Sequence, residues 1–485
     1  MNKKTYITTT LPYVNADPHI GFALEIIQAD ALARFWRGRG EEVVFNTGTD
    51  EHGQKIYNQA LASGLEPKAY CDEYAKKFDG LKKSLNLTYT NFIRTTDPAH
   101  LSAAQEFWRR CDLAGDIYKK EYEIKYCVGC ELEKTDSELV DGHCPVHPNL
   151  ELEARREENY FFKFSKYQKP LLELYEKNPD FVIPKSRLGE IKNFVASGLN
   201  DFSISRLKSK MPWGVPVPGD ESQVMYVWFD ALVNYISTLG WPKEVGEYKD
   251  FWPGIQVAGK DNLRQQSAMW QAMLMSANLP PSKQIFIHGF ITSGGQKMSK
   301  SLGNVVNPYD LVEKYGTDAV RFFLLREIPA YEDGDFTIQK FEERFNADLA
   351  NGLGNYAARV STLANSLLLA LGPNEIPDAT IGKITRTRDL VENFLAEFRF
   401  REALESIWGL LSYGDERLNS VKPWSLEGEA KTEAMGEFVA ILAAVGHLVS
   451  PFLPNAGEKI IKAFEVSDVG TILSKIPPLF PRLEK

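Results

Sequence analysis

Thr5-Tyr6-Ile7-Thr8-Thr9-Thr10-Leu11-Pro12 opens the chain, and Glu42-Val43-Val44-Phe45-Asn46-Thr47-Gly48 follows some thirty residues later. Both stretches are rich in β-branched and aromatic residues, and each ends at a proline or glycine, as strands do. Between them Ala23, Leu24, Ile26, Ile27, Ala31, Leu32 and Phe35 recur at helical spacing, and Gly38 and Gly40 stop the pattern. Strand, helix and strand within about 45 residues predict a βαβ unit of a parallel sheet. Such sheets bind ligands beyond the carboxyl ends of their strands, where Leu11–Gly21 and Thr47–His52 would lie.

The rest of the chain is read outward from that unit. Residues 117–218 are turn-rich and charged and are expected to be an insertion. The α/β pattern resumes at Met225–Phe229, Ile255–Asp261 and Gln284–Gly289. From Asn346 to Phe464 helical periodicity dominates, broken at Gly372-Pro373 and Lys422-Pro423, which predicts a helical bundle. The expected division is 1–116 and 219–290 for the two halves of a sheet domain, 117–218 for the insertion, 291–345 for a linking segment and 346–485 for the bundle.

Composition narrows the class. The chain has 485 residues, 44% hydrophobic and 25% charged, which excludes global disorder. The net charge of −9 argues against non-specific coating of nucleic acid, but not against reading a defined RNA through local basic patches. The longest apolar run, Phe438–Val445, falls short of the ~20 residues of a membrane span. Met1–Thr10 lacks the apolar core of a secretory signal. A cytoplasmic enzyme is expected. Five cysteines imply no disulfide framework.

Three of those cysteines cluster as Cys127-x2-Cys130-x13-Cys144-x2-His147. Two pairs of soft or borderline ligands suit a tetrahedral Zn²⁺ with a closed, structural shell. His143 competes for the fourth position, but it adjoins Cys144, so both are poorly placed to face one ion. Cys71 and Cys111 are read as thiols without a role.

Two further elements suit phosphate. Pro18-His19-Ile20-Gly21-Phe22 stands where a strand hands over to a helix, whose N-terminus offers free N–H groups. There His19 can donate to a phosphate oxygen, and Gly21 permits close approach. Gly294-Gly295-Gln296-Lys297-Met298-Ser299-Lys300-Ser301-Leu302-Gly303-Asn304 is a glycine-flanked loop with two cations that can follow a moving phosphate. Together they resemble the HIGH and KMSKS signatures of class I aminoacyl-tRNA synthetases. Lys297–Ser301 matches the second at every position. Pro18–Phe22 departs from the first, with Phe22 in place of the final histidine and one polar contact near ATP lost.

Within that class the chain is similar to the methionyl-tRNA synthetases over nearly its whole length. Thr9-Thr10-Leu11-Pro12-Tyr13-Val14-Asn15, Gly48-Thr49-Asp50-Glu51-His52-Gly53, Val227-Trp228-Phe229-Asp230-Ala231-Leu232 and Gly259-Lys260-Asp261 carry the likeness, with the knuckle in its one-zinc form. The resemblance implies a class I Rossmann-like parallel-sheet domain, a zinc-bearing insertion and an α-helical anticodon-binding domain. It implies activation of L-methionine by ATP with Mg²⁺, then transfer to tRNA(Met) with a CAU anticodon, His19, Lys297 and Lys300 serving catalysis. Leu11, Tyr13, Trp228, Ala231 and Tyr235 would line the methionine pocket, and Asp50 would take the ammonium group. His19, Gly21, Gly259, Asp261, Lys297 and Lys300 would contact ATP. Asn355, Arg359 and Trp424 would meet the anticodon. The sequence departs from the family again after Asp261. In the run Asn262-Leu263-Arg264-Gln265-Gln266, Asn262 and Gln266 stand where the family commonly has an apolar wall and the histidine of a Phe-His pair, and these two are assigned to the pocket with the rest. A monomer is expected, because the chain stops at Lys485, soon after the bundle, and the short apolar runs imply no membrane partner.

Three other readings fit less well. A small-molecule nucleotidyltransferase shares the phosphate turn but needs neither a zinc insertion nor a long helical tail. A non-catalytic tRNA-binding relative would not need His19, Lys297 and Lys300. Leucyl, isoleucyl and valyl enzymes carry an editing domain larger than the insertion here.

Overall fold

In a computed structural model, which describes residues 3–130, 132–134, 139–243, 245–298, 303–369, 371, 375–467 and 470–483, the quoted strands become β1 (Lys4–Thr9) and β2 (Glu42–Thr49). They pair in parallel, with Lys4 opposite Glu42 and Thr8 opposite Asn46. The intervening helix covers Ile20–Gly38. Further strands are β3 (Asn91–Arg94), β4 (Val182–Ile183), β5 (Ile255–Gly259) and β6 (Gln284–His288). They complete a six-stranded sheet in the order β3-β2-β1-β5-β6-β4. The pairs β3–β2, β2–β1, β1–β5 and β6–β4 are parallel. Strand order reverses between β1 and β5, the place where doubly wound sheets open a ligand crevice.

Two compact units result. One comprises Met1–Pro18, Gly40–Lys82 and Tyr89–Ile287, the other His19–Arg39, Lys83–Thr88 and His288–Lys485. The first unit's core is strongly aromatic, with Phe107, Phe229, Trp241 and Trp270 buried together. Ile117–Cys127 and Glu153–Phe162 pair antiparallel over ten residues and carry the cysteine knuckle. Within the stretch expected as an insertion, Val182–Ile183 instead adds the edge strand β4 to the main sheet. Met225–Phe229, read as the return of the sheet pattern, divides between a strand ending at Met225 and a helical turn over Val227–Ala231. The apolar run is too short to tell the two apart by periodicity.

The second unit is mainly helical beyond Phe345. Its long helices span Asp378–Ala396, Phe400–Val421 and Gly428–Val449. The break expected at Lys422-Pro423 is present, with Lys422 at a φ of +53°. Gly372 and Pro373, the other expected break, lie outside the described residues. Strands do not vanish after Phe345 as expected, since Leu368–Leu369, Phe464–Ser467 and Gly470–Leu473 form a small sheet. The apolar run Phe438–Val445, judged too short for a span, is part of a longer helix. Gly428–Val449 is long and apolar enough to cross a membrane by length and composition. Its Met435, Phe438, Ile441, Leu442, Val445 and Val449 are buried, as in a bundle core.

Candidate functional site

The segment after β1 is tied to the end of β2 by backbone hydrogen bonds. Asp50 N–H donates to the Pro12 carbonyl at 3.0 Å, and Val14 N–H to the Asp50 carbonyl at 3.3 Å. This fastens Leu11 and Tyr13 beside Asp50, which is 4% exposed. Across from them, the helical turn Val227–Ala231 brings up Trp228, whose indole N–H donates to the Tyr13 hydroxyl at 3.2 Å. After β5 the chain makes a 3₁₀ turn over Lys260–Asn262 and a π-helical turn over Gln265–Met269, a geometry that recurs at functional sites. These three segments, with Tyr235, close one cavity of about 60 Å³. Leu11, Tyr13, Asp50, Trp228, Ala231, Tyr235, Asn262 and Gln266, the eight residues expected in an amino-acid pocket, all line it, joined by Thr10, Leu232, Asn234 and Gln265.

Behind the cavity lies a buried polar network that the sequence did not single out. Asp230, fully buried, accepts from His52 Nδ1 at 2.6 Å and from His100 Nε2 at 2.8 Å. Burial alone would raise the Asp230 pKa, but the two histidines outweigh it and hold it below the usual carboxylate range. Glu51, next to Asp50, takes Arg94 at 2.5 and 2.9 Å on its two oxygens and Thr49 at 2.7 Å. The Trp213 indole donates to the Glu51 carbonyl at 2.6 Å. These contacts fix the backbone that presents Asp50. Their signal was available, since Glu51, His52 and Asp230 stand inside the stretches that carry the resemblance, but nothing in their spacing assigns them to each other.

Gly259 ends β5, and Asp261 lies in the turn after it, where Asn262 Nδ2 donates to its carboxylate at 3.2 Å.

In the second unit His19 caps the helix Ile20–Gly38. Its Nδ1 accepts from Gly21 N–H at 3.0 Å, which leaves the proton on Nε2, facing away as a donor. The residue is exposed by surface area, yet desolvation by the surrounding protein lowers its pKa, so the ring is neutral near pH 7. A side chain at Gly21 would put its Cβ 2.8 Å from His19 Cε1 and 3.7 Å from Met298 Cε. Ile20 N–H donates to the Val306 carbonyl at 3.0 Å. The turn therefore sits against both flanks of the lysine loop. Lys297 ends a short strand, Gln296–Lys297, paired with Ile291–Ser293 and reached through Gly294 and Gly295, whose φ values of +61° and +76° explain the glycines. Lys297 is exposed. Ser299, Lys300, Ser301 and Leu302 lie outside the described residues.

Cys127, Cys130, Cys144 and His147 converge, with all ligand atoms within 4.8 Å of one another. Cys130 Sγ is 3.3 Å from Cys144 Sγ and 3.1 Å from His147 Nδ1. Ligand atoms about 2.0–2.3 Å from a tetrahedral zinc stand roughly 3.3–3.8 Å apart, so the set could close on a metal of that size with small side-chain shifts. Gly129 is part of the cradle, since a Cβ there would meet the His147 ring at 2.6 Å. His143 is exposed and not among the four.

Asn355 is exposed at the start of the helix Asn355–Ala364. One turn on, Arg359 donates to Asp415 and Asn419, both at 2.9 Å, and lies 5.9 Å from the centre of the Trp424 ring. Trp424 is 48% exposed.

Comparison with known proteins bears on the family. The family model described as tRNA synthetases class I (M) matches residues 5–152 and 148–361. The methionine–tRNA ligase of Synechocystis sp. is 43% identical, over 94% of this chain and 88% of that one. The methionine–tRNA ligase of Caldanaerobacter subterraneus is 40% identical, over 100% and 80%. A Mycobacterium tuberculosis methionyl-tRNA synthetase, solved in complex with methionyl-adenylate, is 35% identical and superposes with a TM-score of 0.91 over 99% of both chains. By sequence and by fold, the chain belongs to the methionyl-tRNA synthetases, the M family of the class I tRNA synthetases.

Proposed function

We infer that this chain charges tRNA with methionine in two steps. A methionine carboxylate oxygen attacks the ATP α-phosphate, an oxygen–phosphorus bond forms, and pyrophosphate leaves. The terminal ribose hydroxyl of tRNA(Met) then attacks the acyl carbonyl, and AMP leaves. Neither step needs a protein nucleophile, so the residues act by alignment and charge. Asp50 holds the ammonium group at the strand ends. Leu11, Tyr13, Trp228, Ala231 and Tyr235 surround the side chain. Gly259 and Asp261 receive the nucleotide. His19 Nε2–H and the helix N-terminus behind it offer donors to phosphate. Lys297 and Lys300 follow the charge that develops as pyrophosphate departs, with Mg²⁺ arriving on ATP. Asn355, Arg359 and Trp424 read the CAU anticodon, and the helical region 346–485 is their domain.

Zn²⁺ would be held by Cys127, Cys130, Cys144 and His147. Four protein ligands leave no open position, so the ion supplies folding energy to the hairpin Ile117–Phe162 and not chemistry.

The observation that carries the reading is the single cavity in which a buried carboxylate, Asp50, meets an aromatic wall at the carboxyl ends of β1, β2 and β5. Methionine-dependent ATP–pyrophosphate exchange, followed by charging of a CAU tRNA transcript, tests it. Exchange with no amino acid would overturn it.

A further inference from the structure

The second unit holds a cavity of about 490 Å³ that shares no residue with those assigned to methionine or ATP. It lies at the far end of the helix Ile20–Gly38 from His19, roughly 27 Å along the helix at 1.5 Å per residue. Phe35, Val391, Leu448, Pro451 and Ile461 give it apolar walls. Arg34, Arg37, Arg39, Arg388 and His447 also line it, and among the described lining residues Glu392 is the one carboxylate. Even with the histidine neutral, positive charge is in excess.

These cations are not held alike. Asp30, fully buried, is shared by Arg34 at 2.7 Å and Arg321 at 2.8 Å. Arg321 also donates to the Pro451 carbonyl at 2.9 Å, which fixes that wall. Arg39 pairs with Glu392. Arg37 donates to the Thr88 hydroxyl at 2.7 Å and carbonyl at 3.1 Å. Desolvation lowers the Arg37 pKa, with Asp30 opposing and Arg34 adding, so an anion beside it would relieve the charge. Arg388 and His447 are exposed and make no hydrogen bond or ion pair among the described residues. Arg37 and His447 stand in the last turns of their helices, where the dipole favours cations. Arg388 is in the middle of the helix Asp378–Ala396, so no helix end accounts for it.

Guanidinium groups take phosphate in paired hydrogen bonds, and several cations around one cavity suit a polyanion better than a lone carboxylate. The apolar walls require that the anion be carried on a body that covers them, and the volume is that of a small-molecule site. An inorganic ion would leave the walls wet. An acyl chain would press hydrocarbon on the polar atoms of Glu392 and Thr88, whereas ribose hydroxyls and a base offer them hydrogen bonds. A purine, with the larger flat face, covers more of the wall than a pyrimidine. We propose that this cavity binds a purine nucleoside phosphate, the base among the apolar walls and the phosphates at Arg37, Arg388 and His447.

The test is calorimetric titration of the full chain with ADP, GDP, adenosine and inorganic phosphate, a sulfamoyl analogue of methionyl-adenylate being present at saturation to fill the site of activation. ADP or GDP should bind at one per chain, with adenosine and phosphate each at least tenfold weaker. Arg388→Glu and His447→Glu should each weaken the nucleotide at least fivefold. Both side chains are exposed, so the variants should fold and keep methionine-dependent ATP–pyrophosphate exchange within twofold of the parent. Neither nucleotide binding at millimolar concentration would overturn the proposal. So would binding that the adenylate analogue abolishes, since the nucleotide would then be in the activation site. Phosphate binding as tightly as the nucleotides would mean an adventitious ion only. If Arg388→Glu leaves nucleotide binding intact and instead raises the KM for tRNA, the cations serve RNA and the proposal falls.

Discussion

The amino-acid pocket of the first unit and the Arg359–Trp424 face of the second both join an aromatic ring to polar side chains, but in opposite settings. Asp50 is 4% exposed and Asp230, behind the pocket, is fully buried, so the polar groups there are fixed by partners from several separate segments of the chain. Trp424 is 48% exposed, and Arg359 is held by Asp415 and Asn419 on one neighbouring helix. A buried site discriminates because its groups cannot relax, and losing one partner strands another. An exposed face gains by stacking on bases that come to it, and its groups return to water when unbound. The pocket should therefore be intolerant of single changes, and the face graded in its response.

The sharpest test of that contrast is Asp50→Asn. Removing one partner of a buried charge pair costs about 3–5 kcal/mol, or roughly two to four decades in kcat/KM. Exchange and tRNA charging should fall together. A loss under tenfold would show that the ammonium group is held elsewhere. Lys297→Ala should lower kcat for adenylate formation by about 10²–10³, the cost of losing one transition-state donor, with the KM for methionine unchanged. Because Lys297 belongs to the exposed surface, such a drop would limit the contrast to groups that meet their partner before the reaction. A rise in KM alone would remove its assigned role.

The proposed zinc knuckle would be a closed site without chemistry. We expect one Zn²⁺ per chain, less than half an equivalent in Cys130→Ser, and activation reduced through misplacement of the hairpin. Metal analysis of chelator-free protein showing less than half an equivalent in the unsubstituted chain would sink the assignment. Asp230→Asn should cost about 1.5–3 kcal/mol of stability, the worth of hydrogen bonds to a charged group. Its pKa is lowered in the fold, so its contribution is present above the ordinary aspartate value of about 3.9 and is lost as pH falls through the folded value. Thermal unfolding of the variant at pH 7, within 1 °C of the parent, would mean that the two histidines find other partners.

Much of this was legible in the sequence, for physical reasons that differ by region. The unit from Thr5 to Gly48 could be read because strand and helix periods alternate cleanly between glycine and proline stops. The convergence of Cys127, Cys130, Cys144 and His147 could be read because soft ligands at that spacing have few other uses. Val182–Ile183 could not, because a two-residue edge strand has no period at all. Val227–Ala231 was missed for a related reason, since apolar and aromatic residues in a row fit a buried strand or a buried turn equally well. The Asp230–His52–His100 network joins residues 178 and 130 positions apart, a pairing set by the sheet's crossings and not by local pattern. Asn262, Gln265 and Gln266 stood out as departures, but only the structure shows that two of their oxygens are buried without a donor among the described residues.

Trp424→Ala asks whether the exposed face behaves as graded. The sequence places Trp424 just after a helix break, and the structure leaves it 48% exposed with Arg359 near its ring. Little packing is lost on truncation, so the melting temperature should hold. A stacked base is worth about 1–3 kcal/mol, so charging of a CAU tRNA should fall roughly ten- to hundredfold. Exchange needs no tRNA and should be unchanged. The loss should appear in the KM for tRNA before kcat, because the ring meets the anticodon in ground and transition state alike. Replacement by Phe, which keeps a stacking surface, should recover most of the loss. If exchange and thermal stability drop along with charging, Trp424 is part of the bundle's packing and the anticodon is read elsewhere. If Phe recovers nothing while stability holds, the indole N–H makes the contact, and the face discriminates as stringently as the pocket does.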